Sequence, residues 1–294
     1  MSEDFQQVIV IDNGSDEIKA GFAQDEEPKL VFSSVVGRHP FHPQRDIVGN
    51  SAYILYPSVN LSFPIQNGII VDNEGMETIW HDIFYNQLKI DPAEHPVVLT
   101  EAIQNPKYNR EKMAQIMFET FGVPSIYVGD QPVLSFYSSG HTTGFVAEIG
   151  DSVSQFLPID EGKVIQYATK KQYYAGHHLT NWLKEMMHCD TKDIRHYRLY
   201  KDIKQHCCYV AFDYKDELEK SRTSNDCVFH YSHEEIISLN AERFRCPEAL
   251  FDPSMDPYGN RHEFEGIHQA IFNSIKKCSN DVQKELYNTI LLTG

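Results

Sequence analysis

Two short stretches carry residues that could handle a phosphate. The first is Val8-Ile9-Val10-Ile11-Asp12-Asn13-Gly14-Ser15, a β-branched run that reaches one carboxylate and breaks at Asn-Gly, the strongest short hairpin signal. The chain returns as Ile18-Lys19-Ala20-Gly21-Phe22. Such a turn aims backbone N–H groups at one point with Lys19 beside them, which suits a phosphate. Asp12, at the end of its strand, is placed to hold a cation or its waters, because hard cations take oxygen ligands. A plain hairpin would look the same when taken alone.

The second stretch answers the first. Thr143-Gly144-Phe145-Val146-Ala147-Glu148 is an apolar strand ending in a carboxylate, Ile149-Gly150-Asp151-Ser152 is a turn, and Val153 to Ile159 returns as a strand. An internal repeat of a phosphate-type turn points to two hairpins, one per half, that could face each other across a cleft and grip a polyphosphate from both sides. Two unrelated hairpins are the alternative.

The elements between must position these turns. Val31 to Val36 reads as a strand ending at Gly37, and His39 to Arg45 as a Pro/His-rich loop. Ile69-Ile70-Val71 is a short strand, followed by a helix that Asp72 or Asn73 could cap, with the stripe Met76, Ile79, Trp80, Ile83, Phe84, Leu88. Pro96 to Thr100 is apolar enough to be a central strand. A helix over Arg110–Phe121 faces Met113, Ile116, Met117 and Phe121 inward, a strand begins at Tyr127, and Val133–Ser139 is helical. Later come a helix over Leu179–Met187, a long helix within Tyr200–Leu218 whose face is Ile203, Cys207, Val210 and Ala211, a hairpin over Asn225–Leu239, helices over Gly266–Lys277 and Asp281–Tyr287, and a buried strand over Thr289–Gly294.

The totals narrow the function classes. A chain of 294 residues with 41% hydrophobic residues can build one large or two medium domains. Its 26 Lys plus Arg against 42 Asp plus Glu give a net charge of −16, which argues against direct nucleic-acid binding through phosphate contacts. The six cysteines lie at or after Cys189 and form no CxxC, so a reduced, intracellular protein is expected. The acidic start Met1-Ser2-Glu3-Asp4 shows no apolar signal segment, and no apolar run is long enough to span a bilayer. His177-His178, His188-Cys189 and His206-Cys207-Cys208 fit no zinc template and read as ordinary side chains.

Longer motifs carry a resemblance. Ile11 to Ser15 with Lys19 to Ala23, Val36-Gly37-Arg38, Trp80 to Asn86 (WHDIFYN), His95 to Ala102 (HPVVLTEA), Asn109 to Phe121 (NREKMAQIMFETF), Val133 to Gly144, Asn240 to Phe251 (NAERFRCPEALF) and Gly266 to Cys278 together resemble actin and the actin-related proteins over essentially the whole length. Sugar kinases and heat-shock chaperones share that superfamily's fold, but their diagnostic stretches are missing from this sequence.

The resemblance implies an α/β, actin-like ATPase fold in which two RNase H-like lobes flank a nucleotide cleft. The first lobe would be 1–138 with a small insert at 33–63. The second would be 139–294 with an insert at about 175–264, incomplete at its C-terminus because the sequence stops within the family's adenine loop. ATP or ADP with Mg2+ or Ca2+ would sit between them. By position, Gly14, Ser15 and Lys19 belong to the first phosphate loop and Gly150 and Asp151 to the second. Asp12 and Glu148 hold the metal through water, Gln131 orients those waters and the attacking one, and Lys201, Lys204 and Gln205 contact ribose and adenine. Tyr137 and Gly140 fall where actin lines its partner groove.

Departures from the family cluster on the chemistry. Asp16 replaces the first loop's second glycine, and Glu148-Ile149-Gly150-Asp151-Ser152 stands for the family's Asp-Ser-Gly-Asp-Gly. Gln155 occupies the place of the histidine near the attacking water, and Lys201 and Gln205 those of an arginine and a glutamate. Gln131 and Gln155 are the candidate catalytic residues. The expected function is a cytoskeletal or scaffolding protein that binds ATP with weak or no hydrolysis. It would be cytoplasmic or nuclear, with actin-like subunits or actin-binding proteins as partners and no direct nucleic-acid or membrane contact. The His39 to Arg45 loop is shorter than the family's subunit-contacting loop, which argues against ordinary filament growth. The alternatives are a competent filament-forming ATPase, supported by Asp12, Ser15, Lys19 and Gln131, and a ligand-free subunit of a multiprotein complex.

Overall fold

The computed structural model describes residues 7–41, 46–189, 191–223, 227–230, 236–257 and 264–294. Two sheets of the same plan organise it. In the first, the order is Ile126–Asp130, Val97–Glu101, Ile9–Asn13, Glu17–Phe22, Leu30–Ser33. Ile9–Asn13 runs antiparallel to Glu17–Phe22 and parallel to Val97–Glu101. In the second, Gly144–Ile149 runs antiparallel to Ser154–Asp160 and parallel to Ile290–Thr293, and Lys163–Val164 and Lys170–Gln172 both pair with Ser154–Asp160.

Parallel neighbours need a crossover, and helices supply it. Helix Asn73–His81 begins at Asp72, whose side chain accepts from the Gly75 N–H at 3.0 Å. It buries Met76, Ile79 and Trp80, then widens into a π-type helix over Asp82–Leu88 that buries Ile83, Phe84 and Leu88. Helix Lys107–Glu119 carries the chain to the next strand with Met113, Ile116 and Met117 inside. On the second sheet, helices Gly176–Met186, Ile194–Cys207, Glu242–Glu248, Ile267–Lys277 and Asn280–Asn288 enclose a separate core that includes Phe145, Phe156, Tyr174 and Leu183. Ile9, Ile11 and Trp80 belong to the first core.

Several sequence expectations are corrected. The strand expected over Val31–Val36 is two, Leu30–Ser33 and Val36–Arg38, in different sheets, because Ser34 and Val35 turn the chain. Asn50–Leu55 forms a helix and Asn60–Ser62 a strand, two elements for which the sequence carries no clean periodicity. The long helix expected within Tyr200–Leu218 stops at Cys207 and a second helix begins at Tyr214, capped by Asp213, so Val210 is exposed instead of facing the core. The final strand, Ile290–Thr293, lies at a sheet edge with Ile290 and Leu292 exposed, not buried. Cys227–His230 and Ile236–Leu239 pair as expected of a hairpin, though its connection lies outside the described residues, as do residues 42–45 of the proline-rich loop.

Candidate functional site

The two hairpins have matching registers. Asp12 pairs with Lys19 one step before the end of the first, and Glu148 pairs with Gln155 one step before the end of the second. Alternation along a strand therefore sends each carboxylate and its partner to the same face. The first turn is closed by glycine for a steric reason: a Cβ on Gly14 would lie 2.3 Å from the Glu17 carbonyl oxygen. The two turns meet. Ser152 Oγ donates to Ser15 Oγ at 2.7 Å, and Ser15 Oγ also accepts from the Gly68 N–H at 3.2 Å. Beside this junction lies a cavity of about 730 Å³ lined by residues of both sheets.

Asp12 is held by a network centred on Thr100, at the end of the neighbouring strand. Thr100 Oγ1 donates to Asp12 Oδ1 at 2.5 Å and accepts from the Asn13 N–H at 2.9 Å. Gln131, the first residue of helix Gln131–Ser138, donates through Nε2 to Asp12 Oδ1 at 2.9 Å and to Thr100 Oγ1 at 3.2 Å. Asn13 accepts from Trp80 Nε1 at 3.1 Å and donates to the Thr100 carbonyl at 3.1 Å. The carboxylate is thus fixed to the core of the first sheet.

Glu148 is held differently. Gln155 Nε2 donates to Glu148 Oε1 at 3.2 Å, and Glu148 Oε2 is buried with no hydrogen-bond partner among the described residues. Burial, with the Asp12 carboxylate next, pushes its carboxyl up to about 7 against the opposing pull of Gln155 and Lys19. Asp151 is pushed up to about 6 by burial and by Asp16, against Lys204 and Lys201. An orphaned carboxylate oxygen close to a second carboxylate fits a divalent cation, which would satisfy the one and neutralise both. Among the described residues no group of three or more His, Cys, Asp or Glu is arranged to hold a metal, so the remaining ligands would be water and phosphate oxygens.

The cationic side of the cavity comes from helix Ile194–Cys207. Lys204 Nζ donates to the Gly176 carbonyl at 2.6 Å, and burial lowers its ammonium below the usual lysine range. Lys201 is ion-paired with Asp16 and lies 4.0 Å from Glu17. The Asp16 carboxylate of the first turn thus has a cation against it, contributed from across the cavity.

Asp12, Gly14, Ser15, Lys19, Gln131, Glu148, Gly150, Asp151, Lys201, Lys204 and Gln205 all line this one cavity. Gln155 is not among its lining residues: it is 1% exposed, with Nε2 on Glu148 and Oε1 accepting from the Ile103 N–H at 2.7 Å. Sequence reasoning missed Thr100 as the hub and Gly68 as a partner of Ser15. A hydroxyl ending an apolar central strand was the available signal for Thr100. Gly68 gave none. Of the histidine and cysteine runs, His177 meets Tyr197 Oη at 2.9 Å and Asn181 Nδ2 at 3.0 Å, and His206 Nδ1 meets the Asp202 carbonyl at 2.8 Å. Tyr137, half exposed, donates to the Gly162 carbonyl at 3.0 Å.

The family model described as Actin matches residues 3–198 and 190–294. The match spans nearly the whole chain, in two stretches that between them hold both hairpins and both sheets, and the chain belongs to the actin family.

Proposed function

We propose that this actin-family protein binds ATP or ADP with a divalent cation in the cavity beside its two facing turns, and hydrolyses it weakly or not at all. The reading makes the halves 1–138 and 139–294 two lobes flanking that cleft. The observation that carries it is the contact of Ser152 with Ser15 at the edge of a cavity lined from both sheets. Gly14, Ser15, Lys19, Gly150 and Asp151 would surround the phosphates, Lys201, Lys204 and Gln205 the nucleoside, and Asp12 and Glu148 the cation. The cation would supply charge neutralisation between phosphates and carboxylates.

Weak hydrolysis follows from Gln155, whose two polar ends are engaged inside the protein and which cannot relay a proton as imidazole does. Gln131 is tied to Asp12 and Thr100, and so can orient a water without acting as a base. A cytoskeletal or scaffolding role in cytoplasm or nucleus, with actin-like subunits or actin-binding proteins as partners, goes with the family. The ligand-free reading has one observation in its favour: Lys201 is already neutralised by Asp16.

Isothermal titration with Mg-ATP and a phosphate-release assay test the proposal together. Binding heat and a thermal shift without phosphate release are expected. No heat and no shift at millimolar nucleotide would overturn the nucleotide reading, and phosphate release at an ordinary actin rate would overturn the hydrolysis part.

A further inference from the structure

The junction of the two turns is also a partition. A second cavity of about 520 Å³ lies against it, and Ser15, Asp16, Asp151 and Ser152 line both that cavity and the larger one. These four residues form a wall between the two spaces. Its centre is the hydrogen bond from Ser152 Oγ to Ser15 Oγ at 2.7 Å.

The wall is held from both sides. Ser15 Oγ accepts from the Gly68 N–H at 3.2 Å, and Gly68 packs so closely on Ala102 that a Cβ there would lie 2.8 Å from the Ala102 Cβ. On the other side, the start of helix Gly176–Met186 grips the second turn. The Gly150 carbonyl accepts from the Gly176 N–H at 3.0 Å, and the Asp151 carbonyl accepts from the His177 N–H at 2.7 Å. Lys204 Nζ fastens the Gly176 carbonyl in turn, at 2.6 Å.

A phosphate gripped by both hydroxyls needs them farther apart. Two hydrogen bonds of about 2.7 Å that meet at one oxygen put the hydroxyl oxygens roughly 4 to 5 Å from each other. A terminal phosphate reaching this end of the site must therefore break the Ser152–Ser15 bond and spread the turns. It also meets two carboxylates in the wall, Asp16 and Asp151, and each added phosphate charge raises that cost. Of the three lysines that line the larger cavity among the described residues, Lys201 is already ion-paired with Asp16. A divalent cation is common to a diphosphate and a triphosphate, so the terminal phosphate is what separates them.

We propose that this site selects a nucleoside diphosphate over a triphosphate, and that Ser152 is the residue that sets the preference. The inference rests on the larger cavity being a nucleotide site and names the nucleotide it keeps. It also gives weak hydrolysis a second cause: the phosphate that would be cleaved is the one the closed wall turns away.

Calorimetric titration of the full chain with Mg-ADP and, separately, with Mg-ATP tests it. ADP is expected to bind about tenfold more tightly than ATP, the ratio that breaking one neutral hydrogen bond allows. Ser152→Gly and Ser152→Ala both remove the donor. In each the ratio is expected to fall to about threefold or less, because ATP tightens while ADP stays within about twofold. Should the glycine loosen the turn, the alanine variant decides. ATP binding to the wild type as tightly as ADP, or a ratio unchanged in both variants, would overturn the inference and leave the nucleotide reading standing. Binding of neither nucleotide would overturn the nucleotide reading and this inference with it.

Discussion

Ser152 Oγ donates to Ser15 Oγ at 2.7 Å, joining turns that are 137 residues apart in the chain. The bond occupies a hydroxyl that the nucleotide reading assigns to phosphate. Ser152→Gly removes one neutral hydrogen bond, so it is expected to cost about 1 kcal/mol or less of stability. It should also free Ser15 and tighten Mg-ATP binding by a factor of about three to ten. Urea midpoints and titration calorimetry on the variant measure both effects.

Asp16 places a negative charge in a turn whose geometry suits an anion, and Lys201 is the cation it engages. Asp16→Gly frees that lysine and removes the like charge. A tenfold gain in Mg-ATP affinity, about 1.4 kcal/mol, is expected, with Asp16→Asn falling between. Unchanged affinity in both variants would mean that the ion pair does not compete with the ligand.

Glu148 sets a pH dependence whose sign is fixed by its environment. Its carboxyl is raised from the ordinary 4.5 to about 7 in the folded protein, chiefly by burial. Below pH 4.5 the group is protonated in both folded and unfolded chains, and its full contribution to stability is present. As pH rises through 7 the native state loses that proton, and up to about 3 kcal/mol of stability goes with it. Asp151, raised from 3.8 to about 6, adds the same slope at lower pH. Thermal melts across pH 5 to 8 are expected to flatten in Glu148→Gln. Mg2+ should stabilise the wild type more at pH 8 than at pH 5.5, and that difference should shrink in the variant.

Thr100 ties Asp12, Asn13 and Gln131 together through one hydroxyl. Thr100→Val keeps the shape and leaves the buried Asn13 N–H without its partner, a cost of about 1 to 3 kcal/mol in urea unfolding. Asp12 and Gln131 lose their common anchor, so cation-dependent stabilisation is expected to weaken about tenfold in apparent affinity. Thr100→Ser retains the oxygen and is expected to preserve the cation response.

The resemblance to actins is what brought Asp12, Lys19, Glu148 and Lys204 into one expected site; the sequence by itself determined the repeated hairpins and the helical stripe through Trp80. These rest on adjacent residues: alternation, an Asn-Gly turn and three-to-four spacing are written locally. It did not determine where the helix before Cys208 ends, because Val210 and Ala211 continue its periodicity while the chain leaves to pair Tyr209 with Arg243. Nor could it show that Asp16 meets Lys201 across 185 residues, or that Gln155 is spent on Glu148 and the Ile103 N–H. Those partnerships were decided by the tertiary structure alone, since which polar groups satisfy one another depends on how the two sheets pack, and no local spacing encodes that.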